Sequence, residues 1–347
     1  MKKSKTTKAI AMSAMVALAL AAFVSAAYAA KANTKFHTKS LHKTGAGLKH
    51  WYDAAGGLKS LTKAEYDTLG CKSCHTTTCK ACHVTSMKAA DTRDPKTCLG
   101  CHQSIAASFD LSKAAGKLDI HEGKMICNDC HIGEGFDDIH GNEGSFNTKS
   151  DAGAIKASCL NCHKENQEIK AHKVHKGKLA CQSCHVEASI SMFDGKFADF
   201  AKSGYKGVFT PKMDWTMLIN ADGKITTGRV KTIKLDGGKT FVSVEPYYTH
   251  NVTKKALNCS ACHGSANMIA VKEGKKIAVA SAKGVLPFDP AVLDFGADTV
   301  IQVIGGGTAL DAKQMTKMKM TIKDSENSCK WMNKGRGKSL PPFFIPG

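Results

Sequence analysis

Read for the alternation of apolar and polar positions, the chain divides into two textures. Positions 215–220, 224–235 and 239–248 are rich in Val, Ile, Thr and aromatic residues, and the turn formers Asp222-Gly223 and Asp236-Gly237-Gly238 part them. This pattern predicts a β-meander within a small β-rich insertion spanning 186–258. Two more strands are predicted at 299–304 and 317–323, around a turn at Gly305-Gly306-Gly307, in a mixed C-terminal tail covering 259–347. That glycine run lacks the Lys-Ser/Thr of a phosphate loop. Upstream, 71–185 is a series of short runs rich in Lys, Gly and Asp with few large aliphatic residues. Helix starts are predicted at Thr62-x-x-Glu65, a capping box leading through Tyr66 and Leu69, at Asp94-Pro95 for a helix towards Phe109, and at Ser150-Asp151 for one reaching Gln167. So few aliphatic side chains cannot fill an ordinary core. The buried apolar surface of 71–185 must come largely from something else.

The first residues have a pattern of their own. Four lysines precede an apolar run at 9–27, and Ala27-Tyr28-Ala29 supplies a cleavage site, so 1–29 is predicted to be a secretory signal peptide. The mature chain is expected to be exported, to the periplasm or to the cell surface and medium, with no later stretch long enough to span a bilayer. Positions 30–70 form a polar N-terminal segment carrying His37, His42 and His50.

The cysteines explain the thin core. Six Cys-x-x-Cys-His pentapeptides fall within 71–185: Cys71, Cys74 and His75; Cys79, Cys82 and His83; Cys98, Cys101 and His102; Cys127, Cys130 and His131; Cys159, Cys162 and His163; Cys181, Cys184 and His185. A seventh comprises Cys259, Cys262 and His263. At this composition chance places about 0.03 such motifs in the chain, so seven reflect selection. Zinc knuckles also use Cys-x-x-Cys but have no reason to put His directly after every second Cys. Disulfides would need seven tiny loops, a spacing typical of redox dithiols. The pattern is the attachment signature of haem c, in which two thioethers hold the porphyrin and the adjoining His takes one axial iron position. Seven covalent haems are expected, and with them the missing apolar core of 71–185.

A c-type iron that is not catalytic needs a sixth ligand. Eight histidines outside the motifs are candidates for it: His37, His42, His50, His121, His140, His172, His175 and His250. His121 and His175 sit six residues ahead of Cys127 and Cys181, and His172 and His250 sit nine ahead of Cys181 and Cys259. Met315, Met318 and Met320 are expected to pack rather than to ligate. The short gap between His75 and Cys79 is expected to force the first two porphyrins into contact.

With these motifs the sequence resembles the multihaem, here heptahaem, c-type cytochromes of anaerobic, metal- or sulfur-respiring bacteria. The resemblance covers 71–263, and the His-x5-Cys-x-x-Cys-His units of His121 and His175 are similar to those of small triheme and tetraheme cytochromes. It implies a mostly irregular and α, haem-packed fold. It also implies a low-potential file of closely packed bis-His haems carrying electrons in anaerobic or extracellular respiration. Implied partners are other redox proteins: cytochromes, quinol-linked donors, terminal reductases or extracellular acceptors. Some members self-assemble into extracellular filaments.

Three functions are weighed on this basis: an electron carrier, a multihaem reductase of nitrite, hydroxylamine or tetrathionate with one open iron, and a filament subunit. Nitrite reductases of that kind carry a Cys-x-x-Cys-Lys motif. The only similar string here, Glu326-Asn327-Ser328-Cys329-Lys330, lacks its first Cys. The formal charge of +19 points first to nucleic acid or a membrane surface. Loss of the leader leaves 45 basic against 30 acidic residues, or +15. The propionates of seven haems, about −14 when ionised, bring the reduced protein to about +1 and the oxidised protein to about +8. The lysine excess therefore compensates propionates, and nucleic acid is excluded as a partner.

Overall fold

A computed structural model describes residues 40–70, 78–84, 92–141, 155–165, 169–202 and 209–320. The predicted leader, His37, the first motif at 71–75, Ser150-Asp151, Gln167 and Cys329 lie outside these residues. Among the described residues no helix is long and apolar enough to cross a membrane.

The dominant element is one mixed sheet of eight strands: β1 Ser191–Lys196, β2 Thr210–Lys212, β3 Trp215–Ala221, β4 Lys224–Lys234, β5 Thr240–Pro246, β6 Gly284–Pro287, β7 Thr299–Val303 and β8 Gly307–Thr308. The predicted meander is present as β3, β4 and β5. Asp222 and Gly223 join β3 to β4 with φ of 50° and 79°, positive at both central positions as a type I′ hairpin turn requires. β4 is the hub: its first half pairs antiparallel with β3, its second half antiparallel with β5, and Met192 to Lys196 of β1 run parallel to it.

The β-rich region is larger than the insertion expected at 186–258. β7 lies parallel on β5 from Thr299↔Thr240 to Val303↔Val244, β6 lies parallel on β3, and β8 lies antiparallel on β3. Strands from both sides of the 258/259 boundary thus belong to one sheet. Tail and insertion share a core of Trp215, Met217, Ile219, Val230, Val242, Val244, Leu286 and Phe288. Each of these side chains is at most 1% exposed, and full burial of one contributes about 1.5–3 kcal/mol.

Several local expectations are revised. The strand expected at 317–323 is instead, through Met318, the end of a helix, Ala312–Met318. Asp311 and Gln314 form its capping box, and Met315 and Met318, one turn apart, enter the sheet core as packing residues. Thr62 opens no helix. It ends one at Leu58–Thr62, its hydroxyl donating to Leu58 O, and Tyr66–Thr68 is a single 3-10 turn. Asp94 does cap, accepting from Lys96 N, but the helix it starts stops at Leu99 and a second runs Gln103–Ala114. Cys159–Asn161 is a 3-10 turn capped by Ser158.

The motif region is built differently. Among the described residues, every fully buried hydrophobic side chain lies at or before Leu69 or at or after Val186. The buried side chains between those limits are polar: Ser108, Ser112, Asp119, Gln182 and Ser183. This region is bonded to the sheet at several points. Gln182 Nε2 donates to Thr226 Oγ1 and Ser183 Oγ to Ile225 O, both at 2.8 Å, and Arg229 Nη1 donates to Ser104 Oγ at 2.9 Å.

Candidate metal centres

Each described motif forms one helical turn, which places its two Cys and its His on a common side. The His amide donates to the carbonyl of the first Cys in His83, His102, His163 and His185, at 2.8–3.0 Å. Cys127–His131 and Cys259–His263 are short α-helices. Residues at i, i+3 and i+4 share a helix face, so one flat group lying on that face can meet both sulfurs and the imidazole.

Across from that face a second imidazole stands in every described motif. His102 faces His42 at 5.9 Å between ring centroids, His83 faces His140 at 6.2 Å, and His163 faces His121 at 6.0 Å. His131 faces His250 at 6.2 Å, His185 faces His172 at 6.4 Å, and His263 faces His175 at 6.5 Å. Two imidazoles bonding one metal through nitrogen–metal bonds of about 2.0 Å place their centroids roughly 6.3 Å apart. Ordinary ring contacts also span 4.5–7 Å, so distance alone does not distinguish the two cases. The matching is one to one: six motif histidines face six different histidines from outside the motifs. The six- and nine-residue leads do not predict this pairing. His121 and His175 face the motifs after their nearest ones, and His250 faces backward to His131. Only His172 faces the motif it leads. Of the remaining candidates, His37 lies outside the described residues, and His50 packs edge-on against Trp51 at 5.0 Å.

The ring nitrogens agree with this arrangement. His131, His121 and His140 bring Nδ1 to the carboxylates of Asp138 at 3.3 Å, Asp119 at 3.1 Å and Asp137 at 2.6 Å. His42, His175 and His185 bring it to the carbonyls of Ile139, Ala171 and Thr253 at 3.0–3.1 Å. An imidazole held at Nδ1 presents Nε2 as its ligand atom. Burial holds His102 and His250 down at about 4, and so keeps them neutral, the form that binds metal.

The described cysteines do not gather into closed metal cages. Among the described residues no group of three or more His, Cys, Asp and Glu comes together as a metal-ion site. They approach each other between consecutive motifs instead. The thiols of Cys98 and Cys127 hydrogen-bond, as do those of Cys159 and Cys181. Cys82 lies within electrostatic range of Cys101, Cys130 of Cys162, and Cys184 of Cys259 and Cys262.

Apolar side chains around the motifs are exposed. Val84, directly after His83, is 71% exposed, and Leu160, between Cys159 and Cys162, is 61% exposed. Ile132, Val174 and Ile269 are also exposed beside the other motifs or facing histidines. This makes a cradle suited to a flat, largely apolar group. A cleft of about 430 Å³ borders the seventh motif, lined by Trp215, Ser260, Ala261 and Lys283 but not by Cys259, Cys262 or His263. It therefore opens on the side of the helix away from the facing imidazoles. Comparison with family models, with curated proteins and with solved structures finds no match to this chain.

Proposed function

We propose that this chain is an exported electron-transfer protein holding seven covalent haem c groups, with other redox proteins as its partners. The observation that carries the reading is the six-for-six facing of motif and non-motif histidines. Bound haem supplies a one-electron iron couple, and the chain's own residues govern it. The cysteine pairs would tether the haem, the facing imidazoles would ligate its iron, and the Nδ1 partners would fix ring orientation. At the six described motifs a haem held between two such imidazoles would have no position left for a substrate, which favours a carrier over a reductase. His250, nine residues ahead of the seventh motif, turns to His131, but His175 faces His263, so a second imidazole would be available there as well.

The test is the mass of the mature protein with its haem count. Seven covalent haems are expected. Six or fewer, or eight, would overturn the assignment, as would steady turnover of nitrite, hydroxylamine or tetrathionate above about 1 s⁻¹.

A further inference from the structure

Two of the six facing pairs differ from the rest in what stands behind the ring. The carboxylates of Asp138 and Asp119, which hold His131 and His121, belong to side chains only 2% and 7% exposed. His131 belongs to the fourth motif and His121 faces the fifth. Each carboxylate also reaches into the other site. Asp138 accepts Lys156 N at 2.7 Å and Ala157 N at 2.9 Å, immediately before Cys159 of the fifth motif. Asp119 accepts Val252 N at 2.5 Å, two residues beyond the His250 that faces the fourth. The third carboxylate, Asp137 on His140, is 20% exposed and serves the second motif. His42, His175 and His185 rest on neutral main-chain carbonyls.

We propose that Asp119 and Asp138 are positioning residues that make the fourth and fifth motifs a coupled pair of lowest potential in the middle of the file. The inference rests on the haem reading above. A carboxylate accepting the Nδ1 proton makes the imidazole a stronger donor and so favours the ferric state, an effect a neutral carbonyl produces more weakly. Burial removes the water that would screen the charge, so Asp119 and Asp138 act more strongly than the more exposed Asp137. The cysteine contacts put this pair between the third and sixth motifs. An electron passing along the file must climb onto the pair and descend from it. Each transfer moves one electron from a ferrous to a ferric iron, breaks no bond and needs no proton. Electrons therefore rest on the two flanks and cross the centre singly.

The experiment is an optical and EPR redox titration of the intact holoprotein and of Asp119→Asn, Asp138→Asn and Asp137→Asn. Asn keeps an acceptor oxygen for the ring and removes the charge. In the wild type, two of the seven one-electron midpoints are expected to lie apart at the negative end. Asp119→Asn and Asp138→Asn are each expected to raise one of those two, with all irons still low-spin. Asp137→Asn is expected to raise a different midpoint, by less. Seven wild-type midpoints without a separate negative pair overturn the proposal even if the variants fail to fold. So do unchanged midpoints in both central variants, or conversion of an iron to high-spin at unchanged potential, which is the mark of a purely structural role. Loss of the haem reading registers separately, as a wild-type mass without covalent haem.

Discussion

His121 sits six residues ahead of Cys127, yet its ring faces His163, the histidine of the following motif. The physical cause is Asp119, whose two oxygens hold His121 and the amide of Val252, so the ring is aimed by a contact from a remote part of the chain. This yields a prediction that separates near from far assignment. His121→Ala is expected to open one iron in seven, seen as a high-spin signal that binds carbon monoxide. Adding Cys159→Ala and Cys162→Ala is expected to abolish that signal, whereas adding Cys127→Ala and Cys130→Ala is expected to leave it. The reverse result would place His121 on the fourth motif. The sequence singled out eight histidines outside the motifs as candidates, and six of them face a motif histidine. It could not give the pairing, because a distal imidazole is bonded through space and not through the chain.

At the scale of elements, β4 joins the two textures. Arg229 donates to Glu245 at 2.5 Å within the sheet and reaches Ser104 in the helix Gln103–Ala114, and Lys231 meets Glu245 at 2.7 Å. Burial pushes the Glu245 carboxyl up, but the charges of Arg229 and Lys231 outweigh it and hold it down at about 2. A depressed carboxyl contributes stability that is complete above its ordinary value of 4.5 and is lost as pH falls from there through about 2. Glu245→Gln is expected to lower stability by about 3 kcal/mol at pH 7, since it strands two cations. The difference from wild type is expected to shrink in melts taken between pH 4.5 and 2. A constant difference across that range would show that the loss is one of packing. Elements with a local cause were legible: the type I′ turn at Asp222-Gly223 and the three strands it helps to join. The helix Ala312–Met318 was not, because alternating Met318 and Met320 imitate a strand. The signal that could have found it is the Asp311-x-x-Gln314 box with Met315 and Met318 one turn apart.

For the molecule as a whole, the sheet carries its own apolar core while the described part of 71–185 has no fully buried hydrophobic side chain. The two parts are therefore expected to respond differently when haem attachment is blocked. Chain exported from cells lacking the attachment machinery is expected to be cut by protease first within 71–185 and to keep a strand-rich far-ultraviolet spectrum. Equal resistance of that region with and without haem would mean that side chains alone hold it.

The sequence by itself determined the spacing of the motifs and the local turn each makes, because Cys-x-x-Cys-His is five contiguous residues and needs nothing else. It determined the hairpin at Asp222-Gly223 for the same reason, and it determined that 71–185 lacks the aliphatic residues for a core. Only the tertiary structure decided which imidazole faces which motif. It also decided that β6, β7 and β8 from the tail complete the sheet of the insertion, and that Asp119 and Asp138 stand behind neighbouring sites. These depend on residues far apart in the chain meeting in space. Periodicity and spacing record only what a residue's near neighbours require, whereas a facing imidazole, a parallel strand or a buried carboxylate is selected by the packed whole.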